Sequence, residues 1–191
     1  MHTLSLLDRA AKIATRAHQG QVRKDGSPYI YHPIAVSLIL SQHQFDETII
    51  AAALVHDVIE DTTITADELR TELGSAVTDI VLAVSESSDL SWVERKQQLF
   101  NKTKSGPVGA RAVSIADKIH NLRDFLNDYQ RIGSELWKRW PDRTPQQKLK
   151  QDQAFLSWIK QEWNHPVVQE LEVLVNQEAE LITKENSNQK E

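Results

Sequence analysis

The chain has 191 residues, 40% of them apolar, a formal net charge of −5 and no cysteine. That length supports one domain with a substantial core, and the charge argues against wholesale nucleic-acid binding. Without cysteine there are no disulfides and no thiolate metal sites, so any metal must be held by His, Asp, Glu or backbone oxygen. The start of the chain, Met1 to Asp8, lacks a basic region followed by an apolar run, so no signal peptide is read there. No apolar stretch approaches bilayer length. The expectation is a cytoplasmic globular protein without a membrane or nucleic-acid partner.

Helical spacing of Leu4, Leu7, Ala11, Ala14 and Ala17 predicts a first helix over 3–18. The segment His18 to Pro33 carries Gly20, Gly26, Pro28 and Pro33. It reads as a loop, with a short extended hairpin allowed near 21–31. Pro33 suits the first turn of a second helix to about Gln42, and Asp46 can cap a third. Thr65 to Glu68 is a capping box for a short helix that Gly74 can end. Further helices are expected near 76–84, 91–103 and 107–128, with a polar break from Ser85 to Asp89. A short turn follows at Leu136 to Pro141, then a helix from the Thr144 to Gln147 capping box to Trp163, and a last helix from Pro166 to Thr183. Strand alternation is almost absent, so the fold class is all-α, with one domain over 1–183 and a disordered polar tail over 184–191.

The chemistry gathers at Ala51-Ala-Ala-Leu-Val-His56-Asp57-Val-Ile-Glu60-Asp61-Thr62. Residues Ile49 to Val55 hold no charge, so this helix is expected to cross the core and deliver His56, Asp57, Glu60 and Asp61 together at its end. A buried His-Asp pair is costly unless something offsets its desolvation, and a metal ion does so. Two downstream or upstream partners are available. His32 lies at a loop-to-helix junction, and Asp117, Asn121 and Asp124 share one face of a helix at i, i+4 and i+7. Taken alone, His32 could be a capping residue, and the helix face could be solvated with Lys118 and Arg123 as ion-pair partners.

Together, His32, His56-Asp57 and Asp117 resemble the H…HD…D signature of the HD-domain phosphohydrolases. Three longer stretches narrow the resemblance to the alarmone hydrolases, meaning the hydrolase domains of RelA/SpoT proteins and their free-standing small relatives. They are Gly20 to Pro33, Leu54 to Thr62 and Ala116 to Arg123, spread over most of residues 4–128. The short chain resembles the free-standing kind. The resemblance implies an HD-type bundle of about eight to ten helices.

It also implies that His32, His56, Asp57 and Asp117 hold one Mn2+, ahead of Fe2+, Mg2+ or Zn2+, with places left for water and phosphate oxygen. Glu60 and Asp61 match the catalytic acidic pair, which would act on a water that attacks the 3′-pyrophosphate of guanosine tetra- or pentaphosphate. The products would be pyrophosphate and GDP or GTP. Arg23 matches the residue that packs on the purine, Lys24 could contact phosphate, and Asn121 matches a sugar or 5′-phosphate contact. Tyr29 reads as fixing the loop, and His18 and His120 as structural. Two departures loosen the grip on substrate: Trp92 stands near a family Lys, and Gln151, beside Lys148 and Lys150, stands where a phosphate-binding Arg is found. Trp137, Trp140, Trp158 and Trp163 read as packing residues rather than a base-stacking surface. Other readings are the same chemistry on (p)ppApp or NADPH, and a nucleotide sensor without turnover. The partner is a small nucleotide, and the chain is a monomer or homodimer.

Overall fold

The computed structural model describes residues 4–86, 91–141 and 143–188. Its helices in chain order are α1 (Leu6–Ala17), α2 (Tyr31–Gln42), α3 (Glu47–Leu54), α4 (Val58–Asp61), α5 (Ala66–Leu73), α6 (Ser75–Val84), α7 (Trp92–Ser105), α8 (Val108–Ile132), α9 (Pro145–Glu162) and α10 (Pro166–Asn188). A 3-10 segment, Gly133–Arg139, lies between α8 and α9. The fold is all-α, as expected. Within the span taken as one domain, the residues form two compact units, Met1–Asp117 and Lys118–Glu191, which divide inside α8.

In the first unit α3 is the central element, with α1, α2 and α6 all packed against it. Asp46 caps its start by accepting from the Ile49 N–H at 3.1 Å. Ala51, Ala52 and Ala53 are fully buried, and such small side chains let three neighbours approach one helix closely. The start of α8 is just as tight. A Cβ on Gly109 would fall 2.6 Å from Ile80 Cδ1 and 3.1 Å from Ile49 Cγ1, so a hydrogen is required there. The capping boxes expected for α5 and α9 form, and Gly74 ends α5 at φ +88°, which suits glycine.

The 21–31 segment contains no strand, only an isolated antiparallel bridge between Val22 and Pro28. Arg23 N donates to Ser27 O at 2.8 Å and Tyr29 N to Gln21 O at 2.9 Å, closing a turn around Gly26 at φ +88°. The last helix also differs from expectation. It runs through Asn188, so Lys184 to Asn188 are helical rather than a disordered tail, while residues 189–191 lie outside the described ones. Most of the expected polar break, residues 87–89, lies outside them too. Among the described residues, no helix is long and apolar enough to cross a membrane.

The second unit buries Ile119, Leu122, Phe125, Leu136, Ile159 and Leu171, with α9 packed on α10. Its tryptophans pack as expected: Trp137 and Trp140 lie 5.1 and 6.2 Å from Phe125 between ring centroids, and Trp158 is buried. The unit also holds an ion network. Lys118 donates to Asp152 at 2.6 Å, while Lys148 donates to Asp152 at 2.9 Å and to Glu178 at 2.5 Å. Lys148 lies 4.6 Å from the centre of the Phe125 ring and Lys118 5.0 Å from that of Phe155. Burial pushes the Asp152 carboxyl up, but the two ammonium groups outweigh it and hold the group well below the usual range. Glu178, fully buried, is raised by the same burial, which Lys148 only partly offsets. Replacing Asp152 with Ala takes away the carboxylate that Lys118 pairs with and leaves Lys148 to Glu178 alone. We expect a loss of about 3–5 kcal/mol, the usual cost of breaking a buried pair, measured by urea unfolding.

Candidate metal centre

His56 sits where the predicted long helix stops. Rather than running on through Thr62, α3 ends at Leu54, and α4 starts as a separate turn after Asp57. The cause is local. His56 Nδ1 lies 2.8 Å from Ala53 O, and because a carbonyl only accepts, Nδ1 must carry the hydrogen. That bond occupies the carbonyl that the Asp57 N–H would reach in a continuing helix. The chain turns at Val55 and Asp57, and the Asp61 N–H then bonds back to Asp57 O at 2.8 Å. Asp57 and Asp61 therefore lie one turn apart.

The break aims His56 Nε2 at the site. This nitrogen is buried and has no hydrogen-bond partner. It lies 3.2 Å from Asp57 Oδ1 and 3.9 Å from Asp117 Oδ1. His32, buried at the start of α2, places its Nε2 at 3.1 Å from Asp117 Oδ1 and 3.6 Å from Asp57 Oδ2. Donor atoms of His32, His56 and Asp57 all fall within 4.8 Å of one another, and Asp117 faces both imidazoles. Two imidazoles and two carboxylates, one nitrogen buried and unpaired, suit a divalent ion of intermediate hardness. All four lie within the first unit.

The electrostatics agree. Burial alone would push the His56 imidazole down, but the charges of Asp57 and Asp117, the Ala53 carbonyl and Glu60 together raise it. Asp117 is raised by burial, yet the hydrogen bond from His32 and the nearby positive charges hold it well below the usual range. The site attracts a cation at Nε2 and keeps Asp117 ionised to meet it.

Glu60 and Asp61 stay open to solvent beside this group. Each carboxyl is raised above its ordinary value, first by lost hydration and then by the crowd of like charges, Asp57 included. Glu60 Oε2 accepts the Glu86 N–H at 2.8 Å. Asp61 is held from the other side, through its carbonyl by Gln21 Nε2 at 2.9 Å and through its carboxylate by Tyr29.

Tyr29 is the residue that sequence reasoning undervalued. Its hydroxyl lies 2.7 Å from Asp57 Oδ2 and 2.7 Å from Asp61 Oδ2, joining the two halves of the site. Burial and both carboxylates push its ionisation far up, so it stays a donor. Its ring stacks on His18 at 4.7 Å, and His18 Nδ1 in turn meets Gln21 Oε1 at 2.8 Å. His18 is thus structural as expected, but as part of the shell that holds Tyr29. The only hint in the sequence was its spacing, three residues before His32. Tyr29→Phe should keep the fold and weaken metal binding by about 10–100-fold, the range for outer-shell partners. Calorimetric metal titration of both proteins would measure this.

The proposed substrate contacts are placed less fully. Arg23 is half-buried and Lys24 exposed on the turn leading to His32, while Asn121 is exposed on α8 one turn past Asp117, in the second unit. Lys118 and Arg123 pair with Asp152 and Glu170 rather than with carboxylates of their own helix face. His120 is buried, its Nδ1 3.6 Å from Asp124. The side chain of Trp92 lies outside the described residues.

Comparison with known proteins is consistent with this centre. The family model described as HD domain matches residues 10–139. The chain is 41% identical over 120 residues to the mouse guanosine-3′,5′-bis(diphosphate) 3′-pyrophosphohydrolase MESH1, covering 61% of this chain and 67% of the relative. A solved structure described as a metazoan ortholog of SpoT that hydrolyses ppGpp superposes with a TM-score of 0.76 at 25% identity, covering 93% of this chain and 97% of that one. A crystal structure from Listeria monocytogenes gives 0.69 at 29% identity, covering 75% and 96%.

Proposed function

The chain belongs to the HD-domain family, and on that footing we propose that it is a metal-dependent pyrophosphohydrolase that removes the 3′-pyrophosphate of (p)ppGpp. The observation that carries the reading is the buried Nε2 of His56, without a hydrogen-bond partner and set among His32, Asp57 and Asp117, with the carboxylates of Glu60 and Asp61 beside it. The activity for which the mouse relative is named supports the substrate. His32, His56, Asp57 and Asp117 would hold the ion, Mn2+ in our reading, one per chain. Bound there, a divalent ion lowers the pKa of a water and offsets phosphate charge.

The chain's own groups do the rest. Glu60 and Asp61, with proton affinities above those of ordinary carboxylates, orient the attacking water and accept its proton. The water oxygen joins the phosphorus attached to the ribose 3′ oxygen, the P–O3′ bond breaks, and the 3′ oxygen takes up a proton. The products are pyrophosphate and GDP or GTP. Arg23 would stack its planar guanidinium on the purine, with Lys24 and Asn121 on phosphate or sugar. We place this activity in the cytoplasm, with the free nucleotide as partner.

One observation favours keeping a second substrate in view. Lys148, a candidate stand-in for the phosphate-binding Arg replaced by Gln151, is committed to Asp152 and Glu178. On this resemblance the phosphate grip would differ from that of the animal members, and (p)ppApp or NADPH would use the same chemistry. A panel of ppGpp, pppGpp, pppApp and NADPH with Mn2+ decides: the reading expects the guanosine compounds to have the highest kcat/KM, and preference for another nucleotide would replace it.

A further inference from the structure

We propose that Glu86 is a positioning residue for Glu60, held in place by Arg95 and Lys96 of α7. This rests on the reading of Glu60 as a catalytic carboxylate. The main-chain N–H of Glu86 donates to Glu60 Oε2 at 2.8 Å, across 26 residues of sequence. An amide donor is an effective orienter only where its own segment cannot drift, and here that segment is fastened on several sides.

The Glu86 side chain is 10% exposed and forms ion pairs with Lys96 Nζ and, at 3.7 Å, with Arg95 Nε. One residue earlier, Lys102 Nζ donates to Ser85 O at 3.0 Å, and Ser85 Oγ donates to Val81 O at 2.9 Å. Thr103 Oγ1 reaches Ala83 O at 3.4 Å. Four residues of α7 thus grip the chain where it leaves α6, and the product of that grip is one N–H aimed at Glu60. A surface ion pair that merely tied two helices together would be worth little and would need no such aim.

The basic face of α7 therefore supports, through Glu86, the carboxylate read as the base. The role is indirect: neither Glu86 nor Lys96 needs to touch substrate.

The test uses the 191-residue chain and the variants E86A, E86Q, K96M and E60Q. With ppGpp and Mn2+, E86A should lower kcat by about tenfold, as expected when a proton-transfer group is loosened but not removed. KM and metal affinity should stay within about twofold. E86Q, whose amide oxygen can still accept from Lys96, should recover part of the loss. The direct readout is the residue-86 amide proton in 15N-edited spectra. A donor to a carboxylate resonates downfield, so E60Q and K96M should each move it upfield. If K96M leaves both that resonance and kcat unchanged, the clamp is refuted. Losses that follow melting temperature, or that fall on KM, would also overturn it in favour of a structural ion pair. Should the unmodified chain fail to cleave ppGpp, the assigned activity fails, while the amide shift still decides whether Glu86 positions Glu60.

Discussion

His56→Ala should abolish stoichiometric metal binding and, with it, turnover. The imidazole is the most committed donor in the site. Its Nδ1–H is fixed on Ala53 O, which leaves only Nε2 to face Asp57 and Asp117, buried and without a hydrogen-bond partner. Loss of a group that only orients a ligand already lowers metal affinity by about 10–100-fold, so loss of a ligand itself should exceed that range. The variant also removes the bond that stops α3, so its helix content by circular dichroism should not fall. Metal analysis of purified wild type and variant, with calorimetric titration of Mn2+, measures the effect. Equal metal content in the two proteins would remove His56 from the centre.

Glu60→Gln should separate binding from chemistry. The amide keeps the size of the side chain and can still accept the Glu86 N–H through its oxygen, but it cannot take a proton. We expect kcat to fall by about 10²–10⁴-fold, the usual contribution of a positioned acid or base, with metal content unchanged. The wild-type protein should show an acidic limb in kcat above the ordinary carboxylate range of about 4, because lost hydration and like charges raise Glu60 and Asp61. The sign follows directly: a base works only when deprotonated, so a raised pKa makes the rate fall earlier as pH drops. Removing one of several crowded carboxylates also relieves repulsion, and the variant should melt no lower than wild type. A fall in kcat together with a lower melting temperature would point to damage rather than lost chemistry.

Much of this was legible in residue patterns because the fold's signals are local. Capping residues Asp46, Thr65 and Thr144 and the stop at Gly74 each act within a few residues, and all sit where the sequence puts them. The proposed metal ligands were legible for another reason. His32, His56, Asp57 and Asp117 are chemically distinctive and stand in stretches that resemble a known family. What escaped was side chain meeting backbone or side chain at long range. Nothing in Ala51 to Thr62 announces that His56 will take the Ala53 carbonyl and split the helix. Periodicity reports apolar spacing, and a single imidazole bond does not disturb it. Tyr29 and Glu86 reach the acidic pair from 32 and 26 residues away in sequence, distances over which only the folded chain brings partners together. The tail was misjudged for a similar reason. Lys184 to Asn188 are polar, but they continue a helix in which Glu185 accepts from Trp137 Nε1 at 3.2 Å.

In the second unit Lys148 serves a buried ion network and Gln151 carries no charge. On the proposed reading, substrate choice would fall on Arg23, Lys24 and the metal centre. The most direct test is therefore the reaction itself. Purified protein loaded with Mn2+ is incubated with ppGpp and the phosphorus products are resolved by 31P NMR. The account predicts pyrophosphate and GDP in equal amounts, lost on chelation of the metal and restored by adding it back. Intact ppGpp in the presence of bound metal, or release of inorganic phosphate in place of pyrophosphate, would contradict it.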